Sequence, residues 1–215
     1  MSKAASVSEL LDQIEFLFEK YSQELRATTQ PFHLAKVVAS VPNYKYHPDD
    51  SIVRESLIEH SGSLPIVATA FYPHIEDSEV NLGDALVMLA IHDIGELITG
   101  DVSTFTKKES SKDPEHDAAK KLLDPYYHNY YDDVESQTSK SAKFAKSIDK
   151  ITPDIIDYLT PTDITIRRMK HFNNIEPDQI INVIVKHKRP YMLWNPFMTE
   201  FHILLIDKLA AKLKQ

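Results

Sequence analysis

The fold of this chain is decided by one stretch of its sequence, Ala85-Leu86-Val87-Met88-Leu89-Ala90-Ile91-His92-Asp93-Ile94-Gly95-Glu96. The apolar part of this stretch predicts a buried helix that delivers a histidine, an aspartate and a glutamate to one of its ends. Ionisable groups are costly to bury unless they are paired or bound to a metal. We therefore expect this polar end to open onto a cleft or to hold an ion, with further ligands supplied by the rest of the chain.

The composition fits one helical domain. The chain has 215 residues, 42% hydrophobic and 26% charged, which are ordinary values for a globular protein with a substantial core. Glycine is scarce, and the longer segments repeat apolar residues with helical rather than alternating spacing. The sequence therefore predicts an all-α fold and a single domain over residues 1–215, with a motif-bearing core at about 51–152 and flanking helices at 5–41 and 161–214.

Charge and residue usage limit the partners that we expect. The net charge is −8 and no dense Lys/Arg block is present, so nucleic acid is not an expected partner. Cysteine is absent, which excludes disulfides and thiolate sites. No apolar run approaches the roughly 20 residues that a membrane span needs, and the first helix carries Glu and Asp in place of a signal-peptide core. We expect a cytoplasmic protein with no membrane partner.

Periodicity and capping residues divide the chain into helices. The stretch 85–96 is called the organising stretch below, and its helix the organising helix. This helix is predicted to begin after Asn81 and to end between residues 95 and 100. Pro153 is expected to kink or split a later helix. The Tyr-rich segment 124–133 is predicted to be irregular. Further helices are predicted at residues 7–25, 31–41, 51–72, 114–123, 137–159, 162–172, 178–188 and 197–214.

The polar end of the organising helix offers three side chains to one place. His92 and Asp93 are adjacent, about 100° apart around a helix, and both can reach an ion that lies off the helix edge. Glu96 follows one turn later, so it can approach the same ion or a water bound to it. The alternative interpretation is a surface His-Asp pair at a helix end, but the apolar run before the pair disfavours it.

Three other segments carry candidate ligands or catalytic groups. His60 lies in a helix with apolar neighbours, where a hydrogen-bonded core histidine is the alternative. Asp149 lies amid isoleucines and needs a partner, either a metal or a nearby lysine; Asp207, in a second Ile-Asp-Lys sequence, is its rival. Asp101 follows Gly100 in what is otherwise a loop that ends a helix.

Together, these segments resemble the HD-domain metal-dependent phosphohydrolases, and most closely the 5′-deoxynucleotidase group. That group has a Glu-Ser-Val-x-Glu-His segment, an apolar helix ending in His-Asp-x-x-Glu, a Gly-Asp pair and a distant Asp-Lys pair. The matching segments here are Glu55-Ser56-Leu57-Ile58-Glu59-His60, His92-Asp93-Ile94-Gly95-Glu96, Gly100-Asp101 and Asp149-Lys150. Each segment alone is weak evidence, whereas their order and spacing together are specific.

The resemblance implies a helical bundle of the HD-domain type, with additional N- and C-terminal helices, and one divalent metal. The ligands that it implies are His60, His92, Asp93 and Asp149. Mixed nitrogen and oxygen ligation suits Mn, Fe, Co or Ni better than a closed structural zinc site. Glu96 would position a water molecule or take its proton, and Asp101 would orient Glu96 or a substrate hydroxyl. The substrate would be a nucleotide or a similar small phosphomonoester, and a homodimer would be usual for the group.

One difference between this chain and the 5′-deoxynucleotidase group leaves other functions open. The group has an arginine followed by Gly-Trp upstream of the first histidine, where the arginine holds the substrate phosphate. In the region that we align with it, residues 41–46, this chain has Lys45, and Arg54 is a second candidate, but lysine lacks the bidentate fork of arginine. A metal- or nucleotide-binding sensor of the same fold without turnover is therefore the alternative function. A helical interaction protein with an incidental His-Asp pair is the third.

Overall fold

The chain folds as a bundle of helices packed around one central helix. The computed structural model describes residues 55–102 and 112–214, together with Phe16, Lys20, Tyr21, Glu24 and Arg26. No β-strand occurs within these residues, which confirms the predicted all-α fold. The α-helices in chain order are α1 (Leu57–Phe71), α2 (Leu82–Ile91), α3 (Glu96–Thr99), α4 (Lys112–Leu122), α5 (His128–Ser136), α6 (Lys140–Leu159), α7 (Thr162–Asn173), α8 (Ile180–Lys188) and α9 (Pro196–Leu213).

The central helix is α6, which packs against α1, α2, α5 and α9. Its N-cap is Ser139, whose hydroxyl accepts a hydrogen bond from the backbone N–H of Ala142 at 3.0 Å. Its apolar face buries Phe144, Ile148 and Ile151 in the core between these helices. The helix continues past Pro153 to Leu159, so the expected split does not occur, although proline removes one hydrogen bond from the helix interior.

The N-termini of α1 and α2 are both held by side-chain caps. Ser56 and Glu59 form a reciprocal capping box at the start of α1: the Ser56 hydroxyl accepts from the Glu59 N–H, and the Glu59 carboxylate accepts from the Ser56 N–H. The predicted start of this helix, residue 51, lies outside the described residues. Asn81 caps α2 as predicted, with its side-chain oxygen 3.2 Å from the backbone N of Asp84.

The C-terminal helices follow the sequence closely, whereas the Tyr-rich segment does not. Helices α7 and α9 lie within one residue of the predicted spans 162–172 and 197–214. The prediction of an irregular segment at 124–133 is wrong, because a short 3-10 helix (Pro125–Tyr127) leads directly into α5. Tyr131 and Val134 are buried against the rest of the bundle, so tertiary packing outweighs the modest helix propensity of the tyrosines.

The structure describes only some of the residues on which the predictions for the N-terminal flank and for a membrane span depend. Most of the helical segment expected at 5–41 lies outside the described residues, and the single-domain boundary stays a prediction. Among the described helices, none combines the length and the apolar character that crossing a bilayer requires.

Gly95, at the start of α3, is the position where α4 comes closest to the organising stretch. A Cβ atom at this residue would lie 2.3 Å from the backbone oxygen of Glu115 in α4, a distance that backbone atoms cannot tolerate. We expect Gly95→Ala to lower the free energy of unfolding by about 1–3 kcal/mol, as overpacking does in other well-packed cores. Gly62→Ala in α1 is the matched control: an added Cβ there meets nothing within 4 Å, and we expect a gain of about 0.5–1 kcal/mol. Urea unfolding measures both changes, and a Gly95→Ala protein as stable as the wild type would contradict this close approach.

Candidate metal centre

The organising stretch places His92 and Asp93 immediately after a helix end. Helix α2 ends at Ile91, earlier than predicted; residues 92–95 form a turn, and Glu96 begins α3. The His92 Nε2 atom lies 3.1 Å from Asp93 Oδ1, and both residues are buried. The His92 Nδ1 atom lies 2.9 Å from the backbone oxygen of Leu89. Because a carbonyl can only accept, Nδ1 carries the proton and Nε2 is free to bind a cation.

The second histidine comes from α1. His60 lies one turn after the capping box that begins this helix, and its side chain has no exposed surface. The imidazole rings of His60 and His92 are 5.6 Å apart between centroids, at an interplanar angle of 52°. A buried imidazole from α1 and another from the turn after α2 thus face a common point.

The carboxylate of Asp149, from the central helix α6, completes this cluster. Asp149 Oδ1 lies 3.3 Å from His60 Nε2 and 3.6 Å from His92 Nε2. One ligand atom from each of these three residues lies within 4.8 Å of the other two, so the set can hold a metal ion. The rival Asp207 is exposed on α9, which excludes it from this buried cluster.

The hydrogen bonding of the cluster also fits a bound cation. The Nε2 atoms of His60 and His92 are buried and have no hydrogen-bond partner among the described residues. Buried polar atoms normally have partners, because leaving one unsatisfied costs roughly 1–3 kcal/mol. A divalent cation between the two imidazoles and the carboxylate of Asp149 would satisfy both nitrogens at once.

Asp93, the fourth predicted ligand, lies between the histidines and an arginine. Its Oδ2 atom is 3.7 Å from His60 Nε2 and accepts a hydrogen bond from Arg26 Nη1 at 2.8 Å. Its Oδ1 atom faces His92. Asp93 is therefore in place to contact a cation through one oxygen while the other oxygen remains bound to Arg26.

Arg26 is a site residue that the sequence patterns did not indicate. Its guanidinium also lies 3.6 Å from Glu96 Oε2 and, through Nε, 3.6 Å from Asp101 Oδ2. Neither Gly nor Trp follows it in the sequence, so the expected motif gave no signal at this position. Its backbone is fixed instead by pairing with a distant segment, since the Arg26 N–H donates to the Glu55 carbonyl at 2.7 Å.

The remaining predicted residues divide into two groups. Glu96 is buried, and Asp101 approaches the cluster through Arg26, so both predicted catalytic residues lie beside the cluster. The predicted phosphate-binding candidates Lys45 and Arg54 lie outside the described residues.

In the part of the chain that the structure describes, the site carries more acidic side chains than lysines and arginines. Asp149 Oδ2 pairs with Lys150 Nζ at 2.9 Å, and Arg26 neutralises part of the remaining charge. Among the described residues, the carboxylates that contact a site histidine or Arg26 nevertheless outnumber Arg26 and Lys150: they are Glu55, Asp93, Glu96, Asp101 and Asp149. An excess of buried carboxylates favours a bound cation, because isolated charges are costly to remove from water.

The ionisation of the buried groups reflects this excess. Burial disfavours a charged imidazole, but the carboxylates of Asp93 and Asp149 outweigh burial and raise the pKa of His92 to about 10. Burial also disfavours a charged Asp149, yet Lys150 and His92 hold its pKa well below the usual range. Burial and the charge of Asp93 raise the pKa of Glu96 well above its usual range. The site thus favours positive charge at His92 Nε2, where a proton and a divalent cation compete.

The geometry and the sequence together place the chain in a known family. The chain belongs to the HD domain family, whose model matches residues 45–179, more than half of its length. No curated protein sequence matches the chain.

Three solved structures share the fold of this chain. One is a protein from Magnetospirillum magnetotacticum MS-1 described as a predicted metal-dependent phosphohydrolase, with 22% identity, coverage of 95% of this chain and 97% of that one, and a TM-score of 0.62. A conserved hypothetical protein from Pyrococcus furiosus has 18% identity, coverage of 93% and 98%, and a TM-score of 0.57. A protein from Pyrococcus horikoshii OT3 has 14% identity, coverage of 94% and 99%, and a TM-score of 0.57. At these identities, the likeness establishes the fold.

Proposed function

We propose that this protein is a metal-dependent phosphohydrolase that removes phosphate from a small phosphomonoester, with nucleotides as the substrate class. The observation that carries the proposal is the convergence of His60 from α1, His92 from the turn after α2 and Asp149 from α6, beside a buried Glu96. Membership of the HD domain family and the description of the Magnetospirillum protein support the same reaction class.

The ligand set defines where the chemistry would take place. His60, His92 and Asp149 would hold one divalent cation of the Mn, Fe, Co or Ni type, with Asp93 as the fourth protein ligand. A cation bound there supplies positive charge that polarises a phosphoryl oxygen and lowers the pKa of a bound water. Lys150 keeps Asp149 charged and oriented through its contact with Oδ2.

The residues next to this set would orient the reactants. Glu96 would accept the proton of the attacking water, because it is a buried carboxyl group whose Oε2 atom has no hydrogen-bond partner among the described residues. Arg26 would hold the substrate phosphate, since its fork already contacts carboxylates and suits a phosphate equally well. Asp101 would orient Arg26 through the contact with Nε, or orient Glu96 or a substrate hydroxyl as the family resemblance implies.

Arg26 also bears on the choice between an enzyme and a sensor. The sensor interpretation was motivated by the lack of an arginine at residues 41–46. Arg26 provides a guanidinium beside the candidate metal ligands, so the lack of arginine at residues 41–46 no longer favours the sensor. The 5′-deoxynucleotidase-like specificity, a homodimer and a cytoplasmic location stay predictions.

A substrate screen tests the proposed activity. Protein stripped with a chelator should release no phosphate, and adding Mn²⁺ or Co²⁺ should restore turnover of nucleoside 5′-monophosphates, with deoxynucleotides as the preferred substrates. Phosphate release is measured against simple aryl phosphates as a comparison class. Tight nucleotide binding without release of phosphate in any metal would favour the sensor. A protein that binds no divalent transition metal at all would favour the helical interaction protein.

A further inference from the structure

Glu55 is a fully buried acid to which neither the resemblance nor the proposed reaction gives a role. It lies two residues before α1, its side chain has no exposed surface, and neither carboxylate oxygen has a hydrogen-bond partner among the described residues. Burying a carboxylate without hydrogen-bond donors costs free energy, because the group has lost its hydrogen bonds to water and has gained none from the protein. An unsatisfied acid at such a position therefore requires an explanation.

The group that faces this carboxylate is the outer nitrogen of a metal-ligand candidate. Glu55 Oε2 lies 3.6 Å from His60 Nδ1, which is also buried and has no partner in the part of the chain that the structure describes. The other nitrogen of the ring, Nε2, faces Asp149 Oδ1 at 3.3 Å and Asp93 Oδ2 at 3.7 Å. His60 thus stands between the cation site and Glu55.

A comparison of the two histidines shows what Glu55 can supply. His92 gives its Nδ1 proton to the Leu89 carbonyl of its own helix, and this leaves Nε2 free. His60 has no such carbonyl bond among the described residues, and Glu55 is the acid next to its Nδ1. Metal-bound histidines almost always donate their second N–H to a carboxylate, a carbonyl or water, which fixes the tautomer and makes the ligand nitrogen more basic.

The backbone of Glu55 is also tied to the other functional element of the site. Its carbonyl accepts a hydrogen bond from the Arg26 N–H at 2.7 Å. A second backbone hydrogen bond between the same two segments runs from the Leu57 N–H to the Glu24 carbonyl at 3.0 Å. These two bonds fix the segment that carries Arg26 against the start of the helix that carries His60. One residue therefore contacts a metal-ligand candidate through its side chain and positions Arg26 through its main chain.

We propose that Glu55 is a positioning residue of the metal centre. Its carboxylate accepts a hydrogen bond from the Nδ1–H of His60, so that the Nε2 lone pair is directed at the cation, while its carbonyl keeps Arg26 beside the same cation. The inference depends on a cation at His60, His92 and Asp149 and not on the substrate. Metal affinity therefore tests it, and a protein that binds Mn²⁺ but releases no phosphate would contradict the proposed hydrolysis without contradicting the role of Glu55.

The test compares Mn²⁺ affinity in three variants, with free Mn²⁺ followed by electron paramagnetic resonance. Glu55→Leu removes the acceptor, and we expect a Kd for Mn²⁺ about 10–100-fold weaker, as for other outer partners of metal ligands. Glu55→Gln keeps an acceptor oxygen but loses the charge, so we expect a loss at the lower end of this range, about tenfold. Glu59→Gln is the matched control: it makes the same change on the same segment, but its carboxylate bonds Ser56 and not His60, and its Kd should equal that of the wild type.

A second readout separates positioning from general damage to the fold. The Co²⁺ absorption spectrum, which reports the ligand field, should change in both Glu55 variants and remain unchanged in Glu59→Gln. All three variants leave the backbone bonds to Arg26 and Leu57 in place. Wild-type Mn²⁺ affinity and an unchanged Co²⁺ spectrum in Glu55→Leu would overturn the inference, and if that protein does not fold, the same two results in Glu55→Gln would overturn it.

Discussion

Replacing Glu96 with glutamine is expected to lower kcat for phosphate release by about 10²–10⁴, the range that a lost general base produces. The substitution keeps the size of a buried side chain and removes its ability to take a proton, together with the negative charge that faces Arg26. Because each factor of ten corresponds to about 1.4 kcal/mol, the expected loss of transition-state stabilisation is about 3–5.5 kcal/mol. Steady-state kinetics on the best substrate of the screen measures this change.

The Glu96 prediction is specific because it separates catalysis from metal binding. Glu96 is not among the three residues that converge within 4.8 Å of one another. The Kd for Mn²⁺ should therefore stay within about threefold of the wild type, well below the effect of losing a direct partner of a ligand. Glu59→Gln, a matched change in a carboxylate that caps α1, should leave kcat unaltered. Full activity in Glu96→Gln would exclude Glu96 as the base.

Replacing Asp149 with asparagine is expected to weaken Mn²⁺ binding by more than about 100-fold, beyond the effect of losing an outer partner. Asp149 is the one carboxylate in the converging set, and asparagine cannot balance the charge of a divalent cation. It would also leave Lys150 without its ion-pair partner in a nearly buried site. Equilibrium dialysis with Mn²⁺ measures the loss, and turnover should fall with it.

The chain contains an unusually good control for the Asp149 substitution. Asp207 lies in the same Ile-Asp-Lys sequence but is exposed on α9. Asp207→Asn should bind Mn²⁺ as the wild type does and should retain full activity. Equal losses in the two variants would mean that charge alone, rather than the position of Asp149 on α6, governs the affinity.

Local patterns predicted the elements whose boundaries depend on local chemistry. The cap at Asn81 and the apolar run after it defined the start of α2, and α7 and α9 matched their predicted spans closely. Segment 124–133 could not be predicted in this way, because its tyrosines favour a helix only once Tyr131 is buried by other helices. The end of α2 at Ile91 was likewise missed, since the helical spacing continues through the turn to Glu96.

The candidate site was predictable where the chemistry lies in short motifs. His60, His92 and Asp149 each belong to a recognisable segment, and the structure places one ligand atom of each within 4.8 Å of the other two. Arg26 was not predictable, because its place depends on backbone bonds to a segment nearly thirty residues further along the chain. Glu55 belongs to a recognisable segment, but its contact with His60 became visible only with the side chains in place.

An anomalous-scattering measurement on crystals grown with Mn²⁺ tests whether His60, His92 and Asp149 bind a metal ion. We expect one strong anomalous peak per chain, bounded by His60 Nε2, His92 Nε2 and a carboxylate oxygen of Asp149, at the distances of direct coordination. A fully occupied peak elsewhere on the chain, or no peak between these three side chains at saturating Mn²⁺, would contradict this expectation.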